Sequence, residues 1–194
     1  MGGPSSLTKP QDPQQAAPAG APTLTPQQLF QQAAAEYNNA IAGSGSYDKA
    51  LALFKQLNQT APNSTAYFCC GSIYQQKKDY QSAIEEFSMA LNMPATPQVS
   101  ENALLGRAQC YALLGRQKHA DEISAASKAF NQTHDEAAWH TFNNSIPEFK
   151  LAANDYQKLL ESPSTTAEVR QQAQDALNQL SNKGIRPDLA MGKL

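Results

Sequence analysis

Residues 64–95 read STAYFCCGSIYQQKKDYQSAIEEFSMALNMPA, and the spacing of their large and small side chains decides the fold. Tyr67, Cys70, Gly71 and Tyr74 recur at three- and four-residue steps, one face of a helix, and Tyr80, Ala83, Ile84, Phe87, Ala90 and Leu91 make the face of a second. Between them QQKKD supplies a polar corner, so the two helices must fold back on each other. Gly71 and Ala83 are small where the helix axes cross closely, Tyr74 and Phe87 are large where the gap widens, and Pro94 closes the pair.

This order of residues (Tyr67, Gly71, Tyr74, Tyr80, Ala83, Phe87, Ala90, Pro94) is similar to the tetratricopeptide repeat, a helix-turn-helix unit of about 34 residues. Upstream, Tyr47, Ala50, Phe54, Leu57 and Pro62 stand at the same offsets, and Ala50 and Ala83 are 33 residues apart. Downstream, beyond a longer loop ATPQVSE, Leu104, Ala108, Tyr111, Leu114 and Gly115 repeat the first-helix pattern and Ala120 opens a weaker second helix, in which Ile123, Ser124 and Ala126 stand where an aromatic is expected. Phe149, Ala152, Tyr156, Leu159 and Pro163 repeat the second-helix spacing once more, behind a poor first helix containing Asn143, Asn144 and Pro147. The resemblance implies an all-α, right-handed superhelical α-solenoid of antiparallel helix pairs. Its units are expected at about 31–63, 64–97, 101–132 and a degenerate 133–164, followed by a capping helix over 165–183.

The boundaries are read from local chemistry. Residues 1–24 carry five prolines among Gln, Ala, Ser and Gly, a composition that cannot bury enough surface to offset its ordering entropy, and are expected to form a disordered arm. Order is expected from residue 25: Thr25 is an N-cap, Pro26 occupies the first helical position and Gln28 completes a capping box. Thr165 with Glu168 predicts another box ahead of a stripe of Val169, Ala173, Ala176, Leu177 and Leu180, with Gly184 as a stop. Residues 185–194 are expected to be a flexible tail.

Composition narrows the function. A formal net charge of −2 over 194 residues gives no basic field for nucleic acid. The start MGGPSS fits the Gly2 acylation pattern in form only, since one acyl chain binds membrane marginally. No apolar run reaches the eighteen or so residues of a membrane span, the start lacks a signal-peptide pattern, and Cys69, Cys70 and Cys110 show no paired spacing. The expectation is a soluble protein of a reducing, cytoplasmic compartment, with no stable membrane insertion. Catalysis finds no support: His119, His134 and His140 lack metal-ligand spacing, no CxxC, phosphate loop or GxSxG occurs, and neither catalytic residue, metal nor cofactor is expected.

What the resemblance does imply is a concave face lined by the first helix of each pair. Laid on this chain, that geometry selects Ala35, Asn39 and Ala42 in the first unit, Phe68, Ser72, Gln75 and Gln76 in the second, and Leu105, Gln109, Ala112 and Leu113 in the third. Amides there can hold an extended peptide backbone while Phe68, Leu105 and Leu113 offer pockets for apolar side chains. The clamp of Lys, Arg and Asn by which some tetratricopeptide proteins grip acidic tails is missing, because only Asn39 fits it, with Arg107 on the packing side and Arg116 at the turn. Within the group, GSIYQQKKDYQSAIEEFSMAL, the longer loop before the third unit and RAQCYALLG resemble the small chaperones of type III secretion translocators, over about residues 27–130. The Pro/Gln-rich arm and the extension after residue 130 depart from that family. The implied function is a non-enzymatic chaperone that holds an extended apolar segment of a secreted client. A scaffold joining two proteins is the alternative, a thiol-based redox role is a third and weaker one, and the exposed ends leave room for a homodimer.

Overall fold

The computed structural model describes residues 24–180, so the expected arm up to residue 23, the end of the capping helix and the tail lie outside the described residues, and Leu24, the last residue of the expected arm, is half-buried against the α1–α2–α3 core. All regular structure among the described residues is α-helical: α1 (Pro26–Ile41), α2 (Tyr47–Thr60), α3 (Ser64–Gln76), α4 (Tyr80–Leu91), α5 (Pro97–Lys118), α6 (Ala120–Thr133), α7 (Glu136–Ser145), α8 (Pro147–Glu161) and α9 (Ala167–Leu180).

Local chemistry sets most of the helix starts. Thr25 and Gln28 exchange the two hydrogen bonds of a capping box over Pro26, and Ser46, Asn63, Asp79, Thr96 and Asp135 each accept a backbone N–H with their side chains. Each such cap is worth about 1 kcal/mol. At the start of α9 the cap is Thr166, whose Oγ1 accepts from the Val169 N–H, one residue later than the expected Thr165. Thr165 itself is buried. The QQKKD corner turns through Lys78, which takes a positive φ of 61°.

Successive helices pack in antiparallel pairs, α1 on α2 and α3 on α4, and each pair leans on the next through α2–α3, α4–α5 and α3–α5. Phe87 is the centre of this packing. A Cβ at Gly71 on α3 or at Gly106 on α5 would stand 2.7 Å or 2.6 Å from its ring, so both neighbouring helices approach it closely only because those positions carry no side chain. One small residue of this contact lies in the motif, and the other comes from the following helix.

The division of the chain beyond α5 differs from the expected units at 101–132 and 133–164. The helix packed along α5 is α8, whereas α6 meets α5 little and adds Ile123 alone to the buried core that α5 and α8 share. Three contacts fix the antiparallel register: Gly115 meets the Phe149 ring, Arg107 bonds Asp155, and Glu101 reaches Thr166 beyond the far end of α8. The burial pattern explains the exchange. Ala50, Ala83 and Ala152 are all 0% exposed, and Phe54, Phe87 and Tyr156 at most 3%, so α2, α4 and α8 present the same buried alanine-aromatic face. From α6 only Ile123 is buried, and its one aromatic, Phe130, stacks on Trp139 of α7.

Between α5 and α8, then, α6 and α7 form an inserted hairpin. It holds itself together through a run of rings, Phe130 on Trp139 and Trp139 on Phe142, with centroids 5.8 Å and 5.9 Å apart. His119 alone links α5 to α6, and its Nε2 lies 3.3 Å from the Glu148 carboxylate, which also accepts from Lys118 Nζ at 2.9 Å. The chain therefore leaves and re-enters the α5–α8 pair at nearly one point.

Candidate functional site

Helix α9 completes the site, and two anchors hold it. At its start the buried Glu101 carboxylate accepts from the Thr166 backbone N–H at 3.3 Å and its hydroxyl at 2.7 Å. Along the preceding loop, the Arg170 guanidinium donates to the carbonyls of Leu160, Ser162 and Thr165 at 2.8–3.2 Å. Charge-assisted bonds from one side chain to three backbone oxygens fix a loop better than apolar contact alone. Val169, Ala173 and Leu180 are then buried against the core that α5 and α8 share.

Fixed in this way, α9 faces the ends of α3 and α5 across a cavity of about 640 Å³, within the usual range for ligand pockets. Gln75, Gln76, Gln109, Ala112 and Leu113 line one side; Gln172, Asp175, Ala176, Gln179 and Leu180 line the other; Tyr80, Arg116 and Tyr156 complete it. Gln75 Nε2 donates to Gln109 Oε1 at 3.1 Å, which sets the two amides side by side on neighbouring helices. That bond uses one donor and one acceptor. The second N–H of Gln75, its carbonyl and the Gln109 amino group have no hydrogen bond with the described side chains.

Arg116 gives the cavity its charge. Its guanidinium makes no hydrogen bond or ion pair with the described residues, and partial burial holds its pKa below the usual arginine value. A desolvated cation on a cavity wall, with no acceptor among the described residues, can receive a carboxylate or carbonyl from a ligand. The Tyr156 phenol beside it is pushed up by burial and stays neutral.

Five of the residues selected from sequence thus meet in one cavity: Gln75, Gln76, Gln109, Ala112 and Leu113. Ala112 is buried as part of the floor, and Gln76 is exposed at the edge. The other four stand apart from it. Phe68 is half-buried, its ring 5.9 Å from Phe87, inside the α3–α4–α5 core. Leu105 packs against the α5–α8–α9 core, and Ser72 donates to the Phe68 carbonyl at 3.0 Å. Asn39 is exposed near the end of α1, where its backbone carbonyl accepts from Ser44 and Gly45 in the turn. Ala35 and Ala42 are exposed as well.

Sequence reading missed the far wall. From sequence Arg116 falls at a turn and α9 is expected only as a capping helix, and the signal for the wall is the pair of glutamines at 172 and 179, two turns apart. A shallower depression of about 540 Å³ at the α8–α9 junction is lined by Arg170, Gln171 and Gln174; Arg170 there is committed to the loop carbonyls.

The thiols are chemically quiet. All three cysteines are free, and burial pushes Cys69 up to about 11 and Cys70 and Cys110 up to about 12, so almost no thiolate exists at neutral pH. Among the described residues, no cluster of three or more His, Cys, Asp or Glu side chains is placed to hold a metal, and no helix is long and apolar enough to cross a membrane. No family model matches the chain, and no curated protein or solved structure matches it.

Proposed function

We propose that the chain is a non-enzymatic, cytoplasmic peptide-binding protein built on tetratricopeptide-type helix pairs, three in number with the last interrupted by the α6–α7 hairpin. It acts as a chaperone that holds an extended segment of a client between α3, α5 and α9. One observation carries the reading: the cavity combines an apolar floor of Ala112, Leu113 and Tyr156 with the Gln75 and Gln109 amides and with an Arg116 that pairs with no acidic side chain among the described residues. An extended peptide presents side chains on alternate faces and free amides along its edge, which is what such a wall can receive. Helix pairs of this kind and the translocator-chaperone resemblance of residues 27–130 support the client class, a secreted protein with an aggregation-prone apolar stretch. Three free thiols agree with a reducing compartment.

A second reading is favoured by the hairpin itself. The inserted α6–α7 pair is a surface separate from the cavity, as a scaffold contacting two proteins at once would need. The test uses fluorescein-labelled twelve-residue peptides of alternating Leu and Ser with a central proline, titrated with the full chain and followed by anisotropy. Leu113→Glu, which puts a charge on the floor, is expected to weaken binding at least about tenfold while far-ultraviolet circular dichroism stays unchanged. Equal affinity in the two proteins would overturn the cavity assignment. Phe68→Glu serves instead as a stability probe, because Phe68 packs on Phe87.

A further inference from the structure

On α5 the cavity wall is a single helical stripe. Gln109, Ala112, Leu113 and Arg116 stand at i, i+3, i+4 and i+7, in line along about 10 Å of the helix axis. The rise from Ala112 to Arg116 is about 6 Å, close to the roughly 6.7 Å between side chains i and i+2 of an extended strand. A segment with one side chain on the Ala112–Leu113 floor therefore brings the side chain two residues away to Arg116. Two donors meet there. Arg116 is the one cation among the described lining residues, and it makes no hydrogen bond or ion pair with the described residues. The other donor is Tyr156 on α8. At the equivalent place on the alanine-aromatic faces of α2 and α4 stand Phe54 and Phe87, so packing alone asks for no hydroxyl at 156. Tyr156 is 3% exposed and lines the cavity, burial keeps its phenol protonated, and its hydroxyl makes no hydrogen bond with the described residues. Across the cavity the Asp175 carboxylate is exposed and accepts from Gln171 at 2.9 Å.

We propose that Arg116 and the Tyr156 hydroxyl together select the client, by receiving an Asp or Glu side chain that lies two residues from an apolar side chain seated on the floor. The proposal rests on the peptide-binding reading above and adds the specificity of that same site. A carboxylate there accepts from the guanidinium and from the phenol at once, both partly desolvated, where charge-assisted bonds are strongest. A Gln in its place leaves Arg116 without a counter-charge, and a Lys is repelled. The Phe that packing would accept at 156 could hold the floor but not this anion.

The probes are the labelled Leu/Ser peptides with an amidated C-terminus, in which one interior Leu, with another Leu two residues away, is replaced by Glu, Gln or Lys; each is titrated with the full chain. Wild type is expected to bind the Glu peptide about tenfold more tightly than the Gln peptide, and the Lys peptide most weakly. Arg116→Gln should erase the preference for Glu, and Arg116→Glu should reverse it toward Lys. Tyr156→Phe should cut the preference about threefold while the urea midpoint stays at the wild-type value, since the fold loses no hydrogen bond. Equal affinity for the Glu and Gln peptides in wild type, or a preference for Glu that survives Arg116→Gln, overturns the proposal. If Leu113→Glu still weakens the unsubstituted Leu/Ser peptides in that case, the peptide-binding reading stands without it. Displacement of the Glu peptide by N-acetylglutamate amide as effectively as by unlabelled peptide would make the cavity a site for small acids and refute both. If no peptide binds wild type, the peptide-binding reading falls and the selectivity falls with it.

Discussion

The pairing of α5 with α8 across an insertion is tied at its middle by one buried side-chain network, and breaking that network should be costly. Arg107 Nε and Nη2 donate to the two Asp155 oxygens at 2.7 Å and 2.9 Å, Nη1 donates to Ser88 on α4 at 3.1 Å, and the Asp155 side chain is only 3% exposed. The bidentate pair therefore joins α4, α5 and α8. Asp155→Ala leaves a guanidinium largely buried without its counter-charge, a loss of about 3–5 kcal/mol. An exposed pair would lose at most about 1 kcal/mol. At about 2–4 °C per kcal/mol for a chain of this size, the midpoint should fall by roughly 6–20 °C. The assay is urea and thermal unfolding by circular dichroism on wild type, Asp155→Ala, Arg107→Met and Arg107→Met with Asp155→Leu. The double variant should recover to within about 1 kcal/mol of wild type, since an apolar pair of similar volume replaces both charges. Ser88 stays satisfied in it by donating to the Ile84 carbonyl at 2.7 Å. A cost under about 1 kcal/mol for Asp155→Ala would mean that residues 107 and 155 are not buried side by side, and the α5–α8 register drawn from that pair would have to be abandoned.

Two further expectations concern the same end of the molecule. Replacing residues 121–144 by a short Gly-Asn linker should leave a cooperatively folding chain, because Lys118 and Glu148 already touch and a loop of two to five residues suffices between antiparallel helices; aggregation or loss of the unfolding transition on calorimetry would refute this. The hydrogen bond from Lys118 holds the Glu148 carboxyl below the usual glutamate value. A folded-state pKa lowered in this way stabilises the fold above the unfolded value of about 4.3 and ceases to do so as pH falls through the lower folded value. Urea midpoints measured from pH 7 down to pH 3 should therefore fall more steeply in wild type than in Glu148→Gln. Parallel curves for the two proteins would show that the Lys118–Glu148 contact contributes nothing.

The helices were legible because short-range chemistry writes them. The Thr25 capping box, the QQKKD corner and the alternation of alanine and aromatic on α2, α4 and α8 are local, and each is where the sequence placed it. Which helix joins α5 was not local. The first-helix pattern at Leu104–Gly115 and the second-helix pattern at Phe149–Leu159 were both recognised, yet adjacency in sequence assigned α6 as the partner of the first and left the second to another unit. The absent aromatic around Ile123 was the signal. A helix with one buried residue cannot compete for the α5 face with one that buries Phe149, Ala152, Tyr156 and Leu159, since burying each large apolar side chain is worth about 1.5–3 kcal/mol.

The site divides along the same line. Gln75, Gln76, Gln109 and Leu113 lie off the packing stripes of α3 and α5, so helical periodicity separates them from the core, while Ala112 belongs to that core and reaches the cavity as its floor. Phe68 and Leu105 obey the same periodicity but are large and apolar, and the free energy of removing them from water turns them onto Phe87 and onto the α5–α8–α9 core. Periodicity therefore locates polar wall residues better than apolar anchors. The opposite wall is marked in the sequence only by the spacing of Gln172 and Gln179: with Asp175 they belong to the cavity because Glu101 and Arg170 pin the start of α9. Glu101 opens the third first-helix pattern and Thr166 opens the last helix, 65 residues later. It follows that the cavity is sensitive to a residue that does not line it. Once Glu101 is neutralised, the start of α9 loses its anchor and the wall carrying Gln172 and Asp175 shifts, while Gln75 and Gln109 keep their own bond.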